Sequence, residues 1–275
     1  MKLSFSSCVY CSSPVWLPAY PIEYVIEKLS GFGYDGVELM CASPVAYPPY
    51  MNAEDRKRVA ALLKAKKLSV SSVLPFPGGG CGNNVASPIA AEREQTIKNY
   101  KESIDLGHDL GARICLYIGG WVIWGVDQDQ AWEWSRECLV EIAKYAKTKG
   151  ITLAVEPTPS DSNLVENADD AIRMMRESKC DNVKLMFDTI HALYRGDNMT
   201  DYVDKMGKDL VHLHISDTDR MPPGTYNDFG LLIDALKGID FSGFLTMEIG
   251  SGSYGRKVDP NLFAKKSIEY LRKLI

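Results

Sequence analysis

Three carboxylates and one imidazole stand at the ends of apolar segments in the second half of the chain. The segments ITLAVE, VKLMFD, LVHLH and GFLTME end at Glu156, Asp188, His214 and Glu248, and each has the length of a buried β-strand. Burying a carboxylate is costly unless it is compensated. Three such burials beside a histidine are reasonable where a cation neutralises the cluster. The pattern therefore predicts a metal site with these four side chains as its ligands.

The donor set also indicates the kind of cation. Three carboxylates and one imidazole form a mostly oxygen site, which favours Mn²⁺, Mg²⁺ or Co²⁺ over a structural zinc ion. We expect one divalent cation, with Mn²⁺ as the first choice. Taken singly, each acidic residue has a simpler explanation as a helix cap or an ion-pair partner. The coincidence of all four at successive strand ends is what favours the metal site.

These segments belong to an alternation of strands and helices that runs through all 275 residues without a linker. The predicted strands are Leu3–Cys8, the segment that ends at Leu39, Leu68–Leu74, Ala112–Ile118, Ile151–Glu156, Val183–Phe187, Leu210–Ile215 and Phe244–Glu248. Eight strands alternating with eight predicted helices indicate an α/β protein, a single-domain (β/α)8 TIM barrel over residues 1–275. An open doubly wound sheet would normally carry a glycine-rich turn after its first strand, where this chain has CVYCSSPVW.

Barrel closure would bring further polar residues close to the four candidate ligands, because functional groups of a parallel barrel lie at the carboxyl ends of its strands. His191 lies three residues after Asp188, and we expect it in the loop above strand six, within reach of a substrate hydroxyl. His212 shares the inward face of its strand with His214 and is expected one layer lower, as a supporting or core residue. For Glu38, at the end of strand two, a buried hydrogen-bonding role is favoured over a site contact.

The bulk composition excludes several classes of function. The net charge is −5 and there is no long basic run, which argues against a nucleic-acid surface. No apolar stretch approaches the roughly 20 residues of a membrane span, and the first residues do not have the composition of a signal peptide. The seven cysteines are an odd number and are scattered, which predicts reduced thiols in a cytoplasmic protein. Cys8 and Cys11 form one isolated CxxC, expected to be ordinary strand-end cysteines.

At this point the motifs resemble a known family. The opening strand MKLSFSS, then GYDGVEL, VEP, FDTIHA, HLHISDTDRMPPG and MEIG, resemble the xylose isomerase-like TIM barrels, and within them the ketose 3-epimerases that act on tagatose, psicose and fructoselysine. The resemblance implies metal binding by the same Glu, Asp, His and Glu as above. It also implies that His191 and Arg220 bind substrate, that the substrate is a small sugar or sugar derivative, and that the protein forms a homodimer or homotetramer.

Two departures from the family pattern border the expected substrate. The family usually has a second Glu six residues after the first metal Glu. Here the sixth place is Ser162 and the neighbouring acid is Asp161. Many relatives also have PGxG after the Arg, where this chain has PPGTYND, with Tyr226 in place of the second Gly. Both departures concern the identity of the sugar and leave the metal ligands untouched.

The expected reaction is proton abstraction next to a ketose carbonyl, with an enediolate stabilised by the cation. Epimerisation needs a proton-transfer group on each side of the enediolate, and Glu156 and Glu248, on strands five and eight, can flank a substrate seated between them. Aromatic residues near strand ends fit either sugar-stacking walls or packing under loops; these are Tyr10, Trp16, Trp121 and Trp124. We include Trp121 and Asp161 among the expected substrate contacts.

Other enediolate chemistry on the same scaffold is the principal alternative. An aldose–ketose isomerase, an inosose isomerase or dehydratase, or a carbon-glycoside deglycosidase subunit would use the same metal core. Phosphodiester hydrolysis, as in the endonuclease IV relatives, uses a multi-zinc cluster with more histidines than the four of this acidic chain. A non-catalytic sugar-binding subunit would have no need for a proton-transfer pair.

Overall fold

The computed structural model describes residues 1–11, 19–75, 83–250 and 259–275. Within these ranges eight parallel strands form a closed barrel in sequence order. They are β1 (Lys2–Ser6), β2 (Gly36–Cys41), β3 (Ser69–Pro75), β4 (Ile114–Ile118), β5 (Thr152–Glu156), β6 (Val183–Asp188), β7 (Leu210–His214) and β8 (Phe244–Met247). The barrel closes where β1 pairs with β8, from Lys2 opposite Phe244 to Phe5 opposite Met247. The predicted (β/α)8 barrel is confirmed.

Nine α-helices lie in the described part of the chain. They are α1 (Ile22–Phe32), α2 (Ala53–Ala65), α3 (Ala90–Leu110), α4 (Gln128–Thr148), α5 (Ala168–Ser178), α6 (Thr189–Arg195), α7 (Met199–Met206), α8 (Gly230–Gly238) and α9 (Pro260–Leu271). None of them is both long enough and apolar enough to cross a bilayer.

Helix α6 corrects the prediction of eight helices. It starts directly after β6, with the Asp188 side chain accepting a hydrogen bond from the backbone N–H of Ile190, and ends at Gly196 in the left-handed conformation. Seven residues are too few to show a helical period, so the pattern alone did not reveal this helix. His191 therefore lies on a helix and not in the predicted loop.

Local signals explain where several of the other helices begin. Asn52 caps α2 and forms a capping box with Asp55, in which each side chain binds a backbone N–H of the other. Asp127 caps α4 by accepting from Gln130, and Asp259 caps α9 ahead of Pro260, a residue that suits the first helical position.

The barrel has an apolar outer layer and a partly polar interior. Apolar side chains between strands and helices form one continuous buried core. Inside the barrel, Ser4 of β1 and Thr246 of β8 are hydrogen-bonded and fully buried. Glu38 of β2 contacts His212 and His214 of β7 across the interior. The floor beneath the barrel mouth is thus made of hydrogen-bonding groups.

Candidate metal centre

The four predicted ligands lie at the carboxyl end of the barrel. Glu156, Asp188 and His214 are the last residues of β5, β6 and β7, and Glu248 directly follows β8. All four are buried, with at most 8% of the residue surface exposed. The hydrophobic runs of their strands pack into the core and hold each polar residue at the mouth of the barrel.

One nitrogen of His214 is the centre of this cluster. Its Nδ1 lies 3.8 Å from Glu156 Oε1, 3.8 Å from Asp188 Oδ2 and 3.2 Å from Glu248 Oε2. This Nδ1 is buried and has no hydrogen-bond partner of acceptable geometry. An unpaired imidazole nitrogen facing three carboxylate oxygens is a donor set that fits a hard divalent cation. The ligand atoms of Asp188, His214 and Glu248 all lie within 4.8 Å of one another.

Arg220 supplies positive charge to the same cluster. Its Nη1 donates to Glu248 Oε2 at 2.6 Å and also to Asp188 Oδ2. Arg220 and Asp219 both have left-handed backbone conformations, with φ of 55° and 58°, which is unusual for residues other than glycine. The strained turn directs the guanidinium onto the carboxylates, an arrangement that a sequence motif does not reveal.

The loop that carries Arg220 is anchored by Asp217. Its carboxylate accepts from the backbone N–H groups of Tyr226 at 2.8 Å, Asn227 at 3.0 Å and Thr218 at 2.7 Å. Burial would raise the pKa of Asp217, but these hydrogen bonds outweigh it and the pKa lies below its usual value. Tyr226, at the departure from the family motif, therefore supports the loop through its backbone N–H, while the residue as a whole is 63% exposed.

The two glutamates of the cluster have opposite electrostatic environments. Burial raises the pKa of Glu156 well above its usual range, and the negative charges of Glu248 and Asp188 add to that effect against the opposing influence of His214. Burial acts in the same direction on Glu248, but Arg220 and His214 outweigh it, and the pKa of Glu248 lies well below its usual range. One carboxyl group thus favours the protonated form and the other the ionised form.

His191 borders the cluster from α6. Its Nε2 lies 3.8 Å from both Glu156 Oε1 and Asp161 Oδ2, and its Nδ1 is 2.8 Å from Ser160 Oγ. Glu156, Asp188 and His191 also place ligand atoms within 4.8 Å of one another. Asp161 is mostly exposed, with 65% of its side-chain surface accessible. Sequence reasoning missed Ser160, because only the folded loop after β5 brings it to His191.

The predicted aromatic contacts have different surroundings. The backbone of Trp121 exchanges two hydrogen bonds with the side chain of Asn84. These bonds do not involve the indole ring, and the contact of the ring with a sugar stays a prediction. Trp124 is fully exposed, and Tyr10 is fully buried among Phe5, Tyr20 and Tyr24. Trp16 lies outside the described residues. Tyr10 is therefore a packing residue, and of the two predicted alternatives, sugar stacking and packing, the second applies to it.

Comparisons with known proteins identify the family of the chain. The family model of the xylose isomerase-like TIM barrel matches residues 26–274. Fructoselysine 3-epimerase of Shigella flexneri is 26% identical over 93% of this chain and 94% of its own length. Inosose isomerase of Bacillus velezensis is 23% identical over 83% of each chain.

A solved structure supports the fold at lower sequence identity. D-psicose 3-epimerase of Clostridium cellulolyticum H10, crystallised with D-tagatose, has a TM-score of 0.85 at 20% identity and covers 100% of this chain and 99% of that one. With the match over residues 26–274, these findings establish that the chain belongs to the xylose isomerase-like TIM barrel family.

Proposed function

We propose that the protein is a divalent-metal-dependent sugar epimerase that acts at the carbon next to a ketose carbonyl, as a ketose 3-epimerase. One observation carries the proposal. Glu156 and Glu248 come from different strands and reach the same His214 nitrogen, at 3.8 and 3.2 Å. Relatives named as 3-epimerases, which match nearly the full length of the chain, support the choice of reaction.

Glu156, Asp188, His214 and Glu248 would hold the cation, with Mn²⁺ as the first choice and Mg²⁺ or Co²⁺ as alternatives. When bound, the cation would supply electrostatic stabilisation of the negative charge that develops on the two substrate oxygens as a proton is lost. The unpaired Nδ1 of His214, which faces three carboxylates, supports this ligand set.

The two glutamates divide the proton transfer between them. Their carboxylates reach the cluster from different strands, so they can flank a substrate seated between them. One glutamate takes the proton from C3 of the ketose on one face, and the other returns a proton to C3 on the opposite face. The reverse reaction exchanges the two roles. The configuration at C3 is inverted, and the cycle closes when the glutamate that took the proton releases it to solvent and the other glutamate is reprotonated.

Neighbouring residues would hold the sugar during this exchange. His191 is buried beside Glu156 and fixed by Ser160, which suits it to bind a substrate hydroxyl. The guanidinium of Arg220 lies at Glu248 and can bind a substrate oxygen while it offsets negative charge. Asp161, exposed at the edge of the cluster, and Trp121 are proposed as the outer sugar contacts.

The proposal is tested by incubating the purified protein with Mn²⁺ and a panel of sugars, namely D-fructose, D-tagatose, L-ribulose, fructoselysine and an inosose. We expect a ketose to be converted to its C3 epimer, with one solvent deuterium incorporated at C3 in D₂O. Chelator treatment should abolish turnover, and added Mn²⁺ or Co²⁺ should restore it. Full activity of the metal-free protein would contradict the metal role.

Inosose isomerisation is the second candidate function, favoured by the similarity to the inosose isomerase of Bacillus velezensis. It would use the same proton transfer next to a carbonyl. Conversion of the inosose, with every ketose in the panel left unchanged, would replace the epimerase proposal by this one.

We also propose a reducing, cytoplasmic location and a homo-oligomeric assembly of this single domain, residues 1–275. The six cysteines in the described part of the chain are free thiols, five of them buried, which supports the first proposal. Size-exclusion chromatography with light scattering tests the second, and a strictly monomeric protein would contradict it.

A further inference from the structure

The most unusual buried group outside the proposed ligand set is Glu38 of β2. It is fully buried in the barrel interior. A carboxylate in such a position is retained only if several donors compensate for lost hydration. One oxygen, Oε2, accepts from Ser72 Oγ at 2.7 Å and lies 2.8 Å from His214 Nε2 and 3.2 Å from His212 Nε2. We call Glu38, Ser72, His212 and His214 the floor network.

The floor network joins strands that are not neighbours. β2 and β3 supply Glu38 and Ser72, and β7 supplies the two histidines, so the contacts cross the barrel interior. Ser72 lies opposite Glu38 in the β2–β3 register and also lies 3.2 Å from His212 Nε2. Ser72 of β3 and His212 of β7 therefore both contact the Glu38 carboxylate and hold it in position beside His214.

The bond between Glu38 and His214 determines the orientation of the imidazole. An ionised carboxylate only accepts hydrogen bonds, so Nε2 of His214 carries the hydrogen of the 2.8 Å contact. Metal ligation requires the neutral imidazole, in which the other nitrogen, Nδ1, has a free lone pair. That is the nitrogen that faces Glu156, Asp188 and Glu248.

We propose that Glu38 is a positioning residue of the metal centre, which fixes the tautomer and ring orientation of His214 so that Nδ1 is presented to a divalent cation. The inference rests on the cation binding of the proposed function and adds a residue from the opposite side of the barrel. Carboxylates that orient a histidine ligand in this way raise its basicity. Substituting them typically weakens metal binding by about 10- to 100-fold.

The test measures Mn²⁺ affinity of the purified full-length protein by electron paramagnetic resonance of free Mn²⁺, with no sugar present. Glu38→Gln keeps the size of the side chain and removes its charge. We expect Mn²⁺ binding to weaken by about 10- to 100-fold. The absorption spectrum of bound Co²⁺ should also change, since a differently held imidazole alters the ligand field. Unchanged Mn²⁺ affinity in folded Glu38→Gln would overturn the proposal.

Ser72→Ala and Ser4→Ala provide a matched pair if Glu38→Gln does not fold. Each removes one buried hydroxyl from the barrel interior, but only Ser72 binds Glu38, whereas Ser4 binds Thr246. We expect weaker Mn²⁺ binding for Ser72→Ala, by less than that of Glu38→Gln, and wild-type affinity for Ser4→Ala. Equal affinities for the two variants would overturn the proposal.

The metal readout separates this inference from the proposed reaction. If Glu38→Gln loses Mn²⁺ affinity while the wild-type protein converts no ketose, the positioning role stands and the epimerase function fails. If the wild-type protein epimerises a ketose and Glu38→Gln binds Mn²⁺ normally, the reaction stands and the positioning role fails.

Discussion

The two halves of the barrel contribute differently to the site. Strands β5 to β7 end in Glu156, Asp188 and His214, and Glu248 follows β8, whereas β1 to β4 end in Ser6, Cys41, Pro75 and Ile118. Of these four, Cys41 alone is a common metal ligand, and burial raises the pKa of its thiol to about 12, which keeps it protonated and a poor ligand.

The first half nevertheless supports the second. Glu38 of β2 and Ser72 of β3 lie beneath His214 and bind it or its partner. A closed barrel lets one half hold the reactive groups while the other supplies the buried hydrogen bonds that orient them. The comparison between a reacting half and a supporting half predicts effects of very different size for substitutions in the two.

The largest effects are expected at the proposed proton-transfer pair. Glu156→Gln and Glu248→Gln should each lower kcat by about 10²- to 10⁴-fold, because each removes one of the two groups that exchange the proton. Circular dichroism should report an unchanged fold. Activity is measured by sugar chromatography with the ketose identified in the substrate panel.

A strand-end variant in the supporting half is the matched control for this pair. Cys41→Ala, at the end of β2, should leave kcat unchanged. Near-wild-type kcat in either glutamine variant would contradict the proposed distinction between the halves. A decrease of kcat in Cys41→Ala as large as that in the glutamine variants would also contradict it.

A smaller effect is expected at Asp217, which anchors the loop of Arg220. Asp217→Asn should raise KM more than it lowers kcat, because Arg220 loses part of its support. Since the folded-state pKa of Asp217 is below its usual 3.8, its stabilising contribution is present above that pH and is lost as the pH falls through the folded-state value. The Tm difference from wild type should therefore be larger at pH 7 than near pH 3, and a constant difference would contradict this role.

The smallest effect is expected at helix caps. Asn52→Ala removes the acceptor of two backbone N–H groups at the start of α2 and should cost about 1 kcal/mol of unfolding free energy, measured by urea denaturation, with kcat unchanged. Asn198→Ala, which removes the cap of α7 in the other half, should cost a similar amount. An activity loss confined to one of the two would show that the cap also serves the site.

Much of the fold and the proposed ligand set could be predicted because each signal is local. Glu156 and Asp188 end apolar runs, and the strand–helix alternation predicts where those ends meet. The contact between Glu38 and His214 could not be predicted, because it joins residues 176 positions apart through barrel closure. The approach of Ser160 to His191 and the left-handed turn at Arg220 likewise depend on loop conformations that no periodic pattern specifies.

Asp188 uses its two oxygens for different purposes. Oδ1 accepts the backbone N–H of Ile190 and so starts the helix that carries His191, while Oδ2 faces Arg220 and His214. Extending this side chain by one methylene, as in Asp188→Glu, would move both contacts together. Any substitution of Asp188 would therefore change the cation environment and the placement of the His191 imidazole together.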